Sequence, residues 1–125
     1  MGSPKAVGVD IVEISRVRAI HSRHGKRFFD RVLTPLEQSY CLTKGDPYPS
    51  IAARIAAKEA VAKALGVGIG ALKWTSIAVE SLHTGAPQVT LDTSGKKILK
   101  KVGGKKVLLS LSHTGDIALA TAIIC

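Results

Sequence analysis

The sequence predicts an α+β fold, a single compact domain with a long central helix packed on a mostly antiparallel sheet. Three observations carry this reading. The run Ala6–Ile14 is rich in β-branched residues and apolar on both faces, as expected of a central strand. Ile51, Ile55, Ala62 and Leu65 recur at the helical period and form one apolar stripe. The second half breaks into short apolar runs separated by Gly, Pro and Asp, the pattern of antiparallel hairpins. A chain of 125 residues, 46% of them hydrophobic, has the size of one domain, so 1–125 is read as a single unit.

Each element follows in order. Residues 6–14 form the first strand. Ser15 caps a helix to about His24, with arginines on its outer face. Phe28, Phe29, Val32 and Leu33 anchor a short helical segment. Thr34-Pro35-Leu36-Glu37 is a capping box, with Thr at N-cap, Pro at N1 and Glu at N3, and predicts a helix to about Leu42. Lys44–Pro49 is a loop. Ser50 caps the long helix, and Gly66 ends it at C′. Trp74 to Leu82 is a strand, residues 83–87 a turn, and Gln88 to Leu91 a second strand. Ser94 to Val102 is a short basic helix. Val107–Ser112 and Ile117–Ile124 form a hairpin closed by His113-Thr114-Gly115-Asp116.

Composition narrows the function classes. No apolar run is long enough to cross a membrane. Met1-Gly2-Ser3-Pro4-Lys5 lacks the apolar stretch of a signal peptide, which points to the cytoplasm. The two cysteines, Cys41 and Cys125, match no metal or redox spacing. The net charge of +9 is concentrated. Arg16, Arg18, Arg23, Lys26, Arg27 and Arg31 surround a lone acid, Asp30. Lys96, Lys97, Lys100, Lys101, Lys105 and Lys106 form a second cluster with no acid. Such fields favour polyanionic partners: nucleic acid, an acidic protein or a phosphorylated ligand.

Charge also stands where apolar residues belong. Lys58 falls inside the stripe of the long helix, and ionisable groups facing a core are costly unless paired or bound. Glu59 lies on its flank, one turn from Lys63, with roughly 6 Å between the Cβ atoms. A solvated helical ion pair is the plain alternative. Asp10 interrupts the first strand, although Asp is depleted in strand interiors. A bulge or a strand end would explain it. Convergence of Asp10 and Glu59 on a divalent cation would explain both. Mg²⁺ is typically held by one or two carboxylates, waters and substrate phosphates.

Other signals are weaker. Gly66-Val67-Gly68-Ile69-Gly70 follows a helix and lacks the spacing of a dinucleotide loop. His21 and His24 stand at one-turn spacing without further ligands. Ser110, Ser112, His113 and Asp116 sit too close on one hairpin for a hydrolytic triad. Nucleic acid fits the charge, but the strands lack aromatics for base stacking and no recognised motif is present.

Four blocks of the chain resemble the holo-[acyl-carrier-protein] synthase family of phosphopantetheinyl transferases. They are Gly8-Val9-Asp10-Ile11-Val12-Glu13 with Arg16; Phe28-Phe29-Asp30-Arg31-Val32-Leu33-Thr34 with Glu37; Ala53 to Ala60 with Lys63-Ala64-Leu65-Gly66 and Gly68-Ile69-Gly70; and Ser110-Leu111-Ser112-His113-Thr114. They occur in order and span nearly the whole chain. Ile55 and Ile117 depart from the family, which often carries aromatics there.

The resemblance implies transfer of the phosphopantetheine arm of coenzyme A to a serine of an acidic apo acyl carrier protein. Adenosine 3′,5′-bisphosphate is then the second product. It implies Asp10 and Glu59 as Mg²⁺ ligands, Glu59 as activator of the serine hydroxyl, and Lys63 as the group that offsets phosphate charge. Arg54 and Lys58 would meet nucleotide phosphates, Ser112, His113 and Thr114 the adenosine or 3′-phosphate end, and Gly66, Gly68 and Pro87 the pocket wall. Arg16, Arg23 and Arg27 would dock the carrier. The family resemblance also implies homotrimers with active sites between subunits, while the residues themselves argue against a membrane and against nucleic acid as partners. Two rivals stand beside it: a nucleic-acid-binding module, and a coenzyme A or carrier binder without catalysis.

Overall fold

A computed structural model describes residues 2–125; Met1, the first of the residues read for a leader, lies outside them. The element order is β1 (Ala6–Glu13), α1 (Ile14–His24), α2 (Lys26–Val32), α3 (Pro35–Leu42), α4 (Tyr48–Ala64), a 3₁₀ turn (Trp74–Ser76), β2 (Ile77–Ser81), β3 (Pro87–Leu91), α5 (Thr93–Lys101), β4 (Val107–Thr114) and β5 (Ile117–Ile124). A three-stranded sheet has the order β1-β5-β4, and β2 pairs with β3 in a second sheet. All pairings are antiparallel. The α+β reading therefore stands, with α4 as the long helix on the larger sheet.

Small residues set the closeness of that packing. Ala56, Ala57, Ala60 and Ala64 of α4 share one core with the buried Ala120 and Ala122 of β5. Gly8 is the extreme case. A Cβ there would lie 2.0 Å from the Ala60 carbonyl oxygen and 2.9 Å from the Ala64 nitrogen. Only glycine lets β1 approach the helix backbone so closely. Gly66 follows the C-cap of α4 with φ +77, the left-handed conformation that glycine adopts without strain. The capping box of α3 is present, with Thr34 and Glu37 exchanging hydrogen bonds.

Several details differ from the sequence reading. β1 is an edge strand, not a central one. It is apolar on both faces because one face packs on α4 while the other carries the exposed Val7, Val9 and Ile11. Ser15 does not cap α1: the N-cap is Glu13, which makes no side-chain bond. Helix α4 starts before Ser50, at Tyr48, whose amide is met by the Asp46 carboxylate at 3.1 Å. The expected strand from Trp74 opens as a 3₁₀ turn. Asp92 caps α5 by accepting from the Gly95 amide. β4 continues through Thr114, so the hairpin turn shrinks to Gly115-Asp116.

Candidate active site

Asp10 stands in an unbroken ladder opposite Ala120, which removes the bulge as its explanation. Its face of β1 is the one turned toward α4, and the Gly8 approach brings it against the helix. Glu59 and Lys63, one turn apart on α4, reach the same place. The Lys63 ammonium donates to Asp10 Oδ1 at 2.9 Å and to the Val9 carbonyl at 3.1 Å. Lys63 thus pairs across elements, and no ion pair within 4.0 Å joins it to Glu59. Asp10, Glu59 and Lys63 line a cleft of about 630 Å³ that Arg16 borders.

The electrostatics of the cleft are those of a carboxylate pair. Glu59 is half-buried, and its pKa is raised by loss of solvation and then by the charge of Asp10, with Lys63 opposing. Its bond to Asp10 holds Lys63 above the ordinary lysine value. Two hard oxygen donors that repel one another, with an ammonium already drawn to one of them, form a fitting environment for Mg²⁺. No group of three or more His, Cys, Asp and Glu side chains gathers among the described residues. Any such ion would complete its shell with water and substrate oxygens.

The remaining candidates divide. Arg16 borders the cleft, and Arg27 lines an adjoining one of about 650 Å³ that shares Ile20, Phe28, Val32 and Trp74 with it. Arg23 is exposed on the same face of α1 as Arg16, two turns on. Lys58 was expected to meet phosphate, but it is wholly enclosed. Its ammonium bonds Glu37 Oε1 at 2.6 Å and the Val32 carbonyl at 2.7 Å, and so presents nothing to a ligand.

Arg54 is buried, stacks 4.5 Å over Tyr40 and donates to Ser81 Oγ at 3.2 Å. Its Nε has no partner, and it lines a separate cleft of about 150 Å³. Gly66 and Gly68 are exposed in the loop after α4, and Pro87 opens β3. Ser112, His113 and Thr114 end β4, in register through Leu119, Ala118 and Ile117 with Ile11, Val12 and Glu13. They lie two strands, roughly 10 Å, from β1. None of them lines the Asp10–Glu59 cleft of their own chain.

Comparison with known proteins decides the family. The model of the 4′-phosphopantetheinyl transferase superfamily matches residues 6–122. The chain belongs to that superfamily. The holo-[acyl-carrier-protein] synthase of Chlamydia pneumoniae is 49% identical over 118 residues, covering 94% of this chain and 93% of that protein. The crystal structure of the same enzyme from Neisseria meningitidis superposes with a TM-score of 0.89 at 34% identity, covering 98% of each chain. That from Helicobacter pylori, in complex with coenzyme A, gives 0.84 at 32% identity, covering 95% of this chain and 99% of its own. The chain is accordingly a transferase of the holo-[acyl-carrier-protein] synthase kind. No helix among its described residues is long and apolar enough to cross a membrane.

Sequence reasoning missed three contacts around this site: the close approach of Gly8 to α4, the bond of Lys58 to Glu37 and that of the Ser15 amide to Asp116. The capping role of Glu37 was visible, but its burial against Lys58 was not. For Asp116 the signal was only a turn residue.

Proposed function

We propose that the chain moves the 4′-phosphopantetheine group from coenzyme A to a serine of an acidic apo acyl carrier protein in the cytoplasm. Adenosine 3′,5′-bisphosphate is released. The observation that carries this reading is the convergence of Asp10, Glu59 and Lys63 in one cleft bordered by Arg16. The relatives described above, one of them in complex with coenzyme A, support the substrate class.

Asp10 and Glu59 would hold Mg²⁺, which would supply positive charge to offset that developing on the transferred phosphate. The Glu59 carboxylate takes the proton of the carrier serine, and loss of solvation with the nearby charge of Asp10 raises its proton affinity. The serine oxygen bonds to the phosphorus nearer the pantetheine. The bond from that phosphorus to the bridging oxygen breaks, and the electron pair leaves on the bisphosphate. Lys63 stands where that charge grows. Arg54, Ser112, His113 and Thr114 are assigned to the nucleotide end, with Gly66, Gly68 and Pro87 as its wall. Arg16, Arg23 and Arg27 dock the carrier, each offering a fork that matches carboxylates.

A homotrimer would bring the β4 tip of one chain to the Asp10 cleft of the next. The open sheet face supports it: Val7, Val9 and Ile11 are 67%, 51% and 59% exposed. Leu108 of the same sheet is 39% exposed. An apolar patch of this kind marks an interface. A nucleic-acid module would give no reason for Asp10 or Glu59.

The test is mass spectrometry of an apo acyl carrier protein incubated with the enzyme, coenzyme A and Mg²⁺. A phosphopantetheine mass gain that is lost with EDTA and in Glu59→Gln supports the reading. Absence of gain with several carriers removes it.

A further inference from the structure

The start of α1 is held from the far end of the chain. Four amides open any helix without an intrahelical partner. The N-cap of α1, Glu13, meets none of them with its side chain. Asp116, in the β4–β5 turn, does so instead. Its backbone carbonyl accepts from the Ile14 amide at 2.7 Å. Its Oδ1 accepts from the Ser15 amide at 2.8 Å, and its Oδ2 from the Ser15 hydroxyl at 2.5 Å. The carboxylate also complements the positive end of the helix dipole.

We propose that Asp116 is a positioning residue for carrier docking: it fixes the angle at which α1 presents Arg16 beside the Asp10–Glu59 cleft. This rests on the reading of Arg16 as a docking residue. β1 passes into α1 with no linker, so one chain run carries Asp10, Glu13 and Arg16. The clasp also ties this run to the hairpin tip that bears Ser112, His113 and Thr114. Both Ser15 and Asp116 are exposed. A solvated clasp of this kind adds little to global stability. Orientation is another matter, because a shift of about 1 Å far from the chemistry can cost up to about a hundredfold in rate.

The experiment is steady-state kinetics of Asp116→Asn, Asp116→Glu, Arg16→Gln and the double variant Asp116→Asn/Arg16→Gln, with carrier and coenzyme A varied separately. Asparagine keeps one acceptor and cannot accept from the Ser15 hydroxyl with its amide nitrogen. The KM for carrier should rise about tenfold in Asp116→Asn, and less in Asp116→Glu. The KM for coenzyme A should stay put. In the Arg16→Gln background the Asp116 change should add nothing, since the two act through one contact. Should Asp116→Asn fail to fold, Ser15→Ala removes the hydroxyl donor alone and should raise the same KM about threefold.

An unchanged carrier KM in Asp116→Asn, or effects that multiply with those of Arg16→Gln, overturns the positioning role while leaving the docking reading intact. A silent Arg16→Gln overturns the docking reading, and the positioning role with it.

Discussion

The Lys58 ammonium lies 2.6 Å from Glu37 Oε1 with the two side chains 0% and 1% exposed. Glu37 also closes the capping box of α3 and accepts from the Val79 amide through Oε2 at 2.7 Å. One carboxylate therefore joins α3, α4 and β2. Burial pushes the Lys58 pKa down while the charge of Glu37 opposes that shift.

Breaking this pair should be costlier than removing it. Lys58→Met alone leaves a buried carboxylate and should lower stability by about 3–5 kcal/mol. The double variant Lys58→Met/Glu37→Gln should recover part of that loss. Chemical denaturation of the three proteins measures both effects. Equal losses in single and double variants would deny the pair its partnership.

Gly8→Ala tests the close approach of β1 to α4. The added methyl would meet the Ala60 carbonyl at 2.0 Å, and flexible side chains cannot absorb a clash with backbone. Stability should fall by about 1–3 kcal/mol or more. Because Asp10 lies two residues on, on the same face, kcat at saturating Mg²⁺ should fall as well. A loss of stability with unchanged kcat would separate Gly8 from the site.

Asp10→Asn should weaken divalent cation binding and lower transfer more than about a hundredfold. The same substitution should release Lys63. The bond to Asp10 is the first cause of its raised pKa, so the lysine should become more reactive toward amine reagents at a given pH. Calorimetric titration with Mg²⁺ and the pH dependence of Lys63 labelling check the two halves independently.

Local rules carried the sequence reading where local chemistry decides structure. The Thr34–Glu37 capping box and the Gly66 stop need only neighbours in the chain, and both stand in the structure, whereas the one stripe read on α4 is part of a helix buried on nearly every side. The failures are long-range. Position in the sheet made β1 an edge, although its composition resembles that of a central strand. The partner of Lys58 comes from position 37, and the cap of α1 from position 116, neither of which periodicity can announce. Asp10 stood out because it interrupts its strand, and Glu59 and Lys63 because they stand one turn apart on the flank of an apolar helix. Ser112, His113 and Thr114 break no pattern, and only the family resemblance singles them out.

Glu59→Gln should stabilise the metal-free protein at neutral pH. The folded pKa of Glu59 lies above the unfolded value, so its protonated form is favoured by folding. That contribution is full below the ordinary glutamate pKa of 4.5 and is lost as pH rises through the raised folded value. At neutral pH the ionised group is therefore a liability, set by desolvation first and by the charge of Asp10 second. Gln abolishes both. Thermal melts in EDTA should show a higher Tm for Glu59→Gln than for the parent at pH 7, and the gap should close toward pH 4. Saturating Mg²⁺ should reverse the order at pH 7, since the cation stabilises the parent and finds one ligand fewer in the variant. A variant less stable than the parent in EDTA at pH 7, with the difference closing toward pH 4, would mean that the attraction of Lys63 outweighs desolvation and the charge of Asp10 at Glu59.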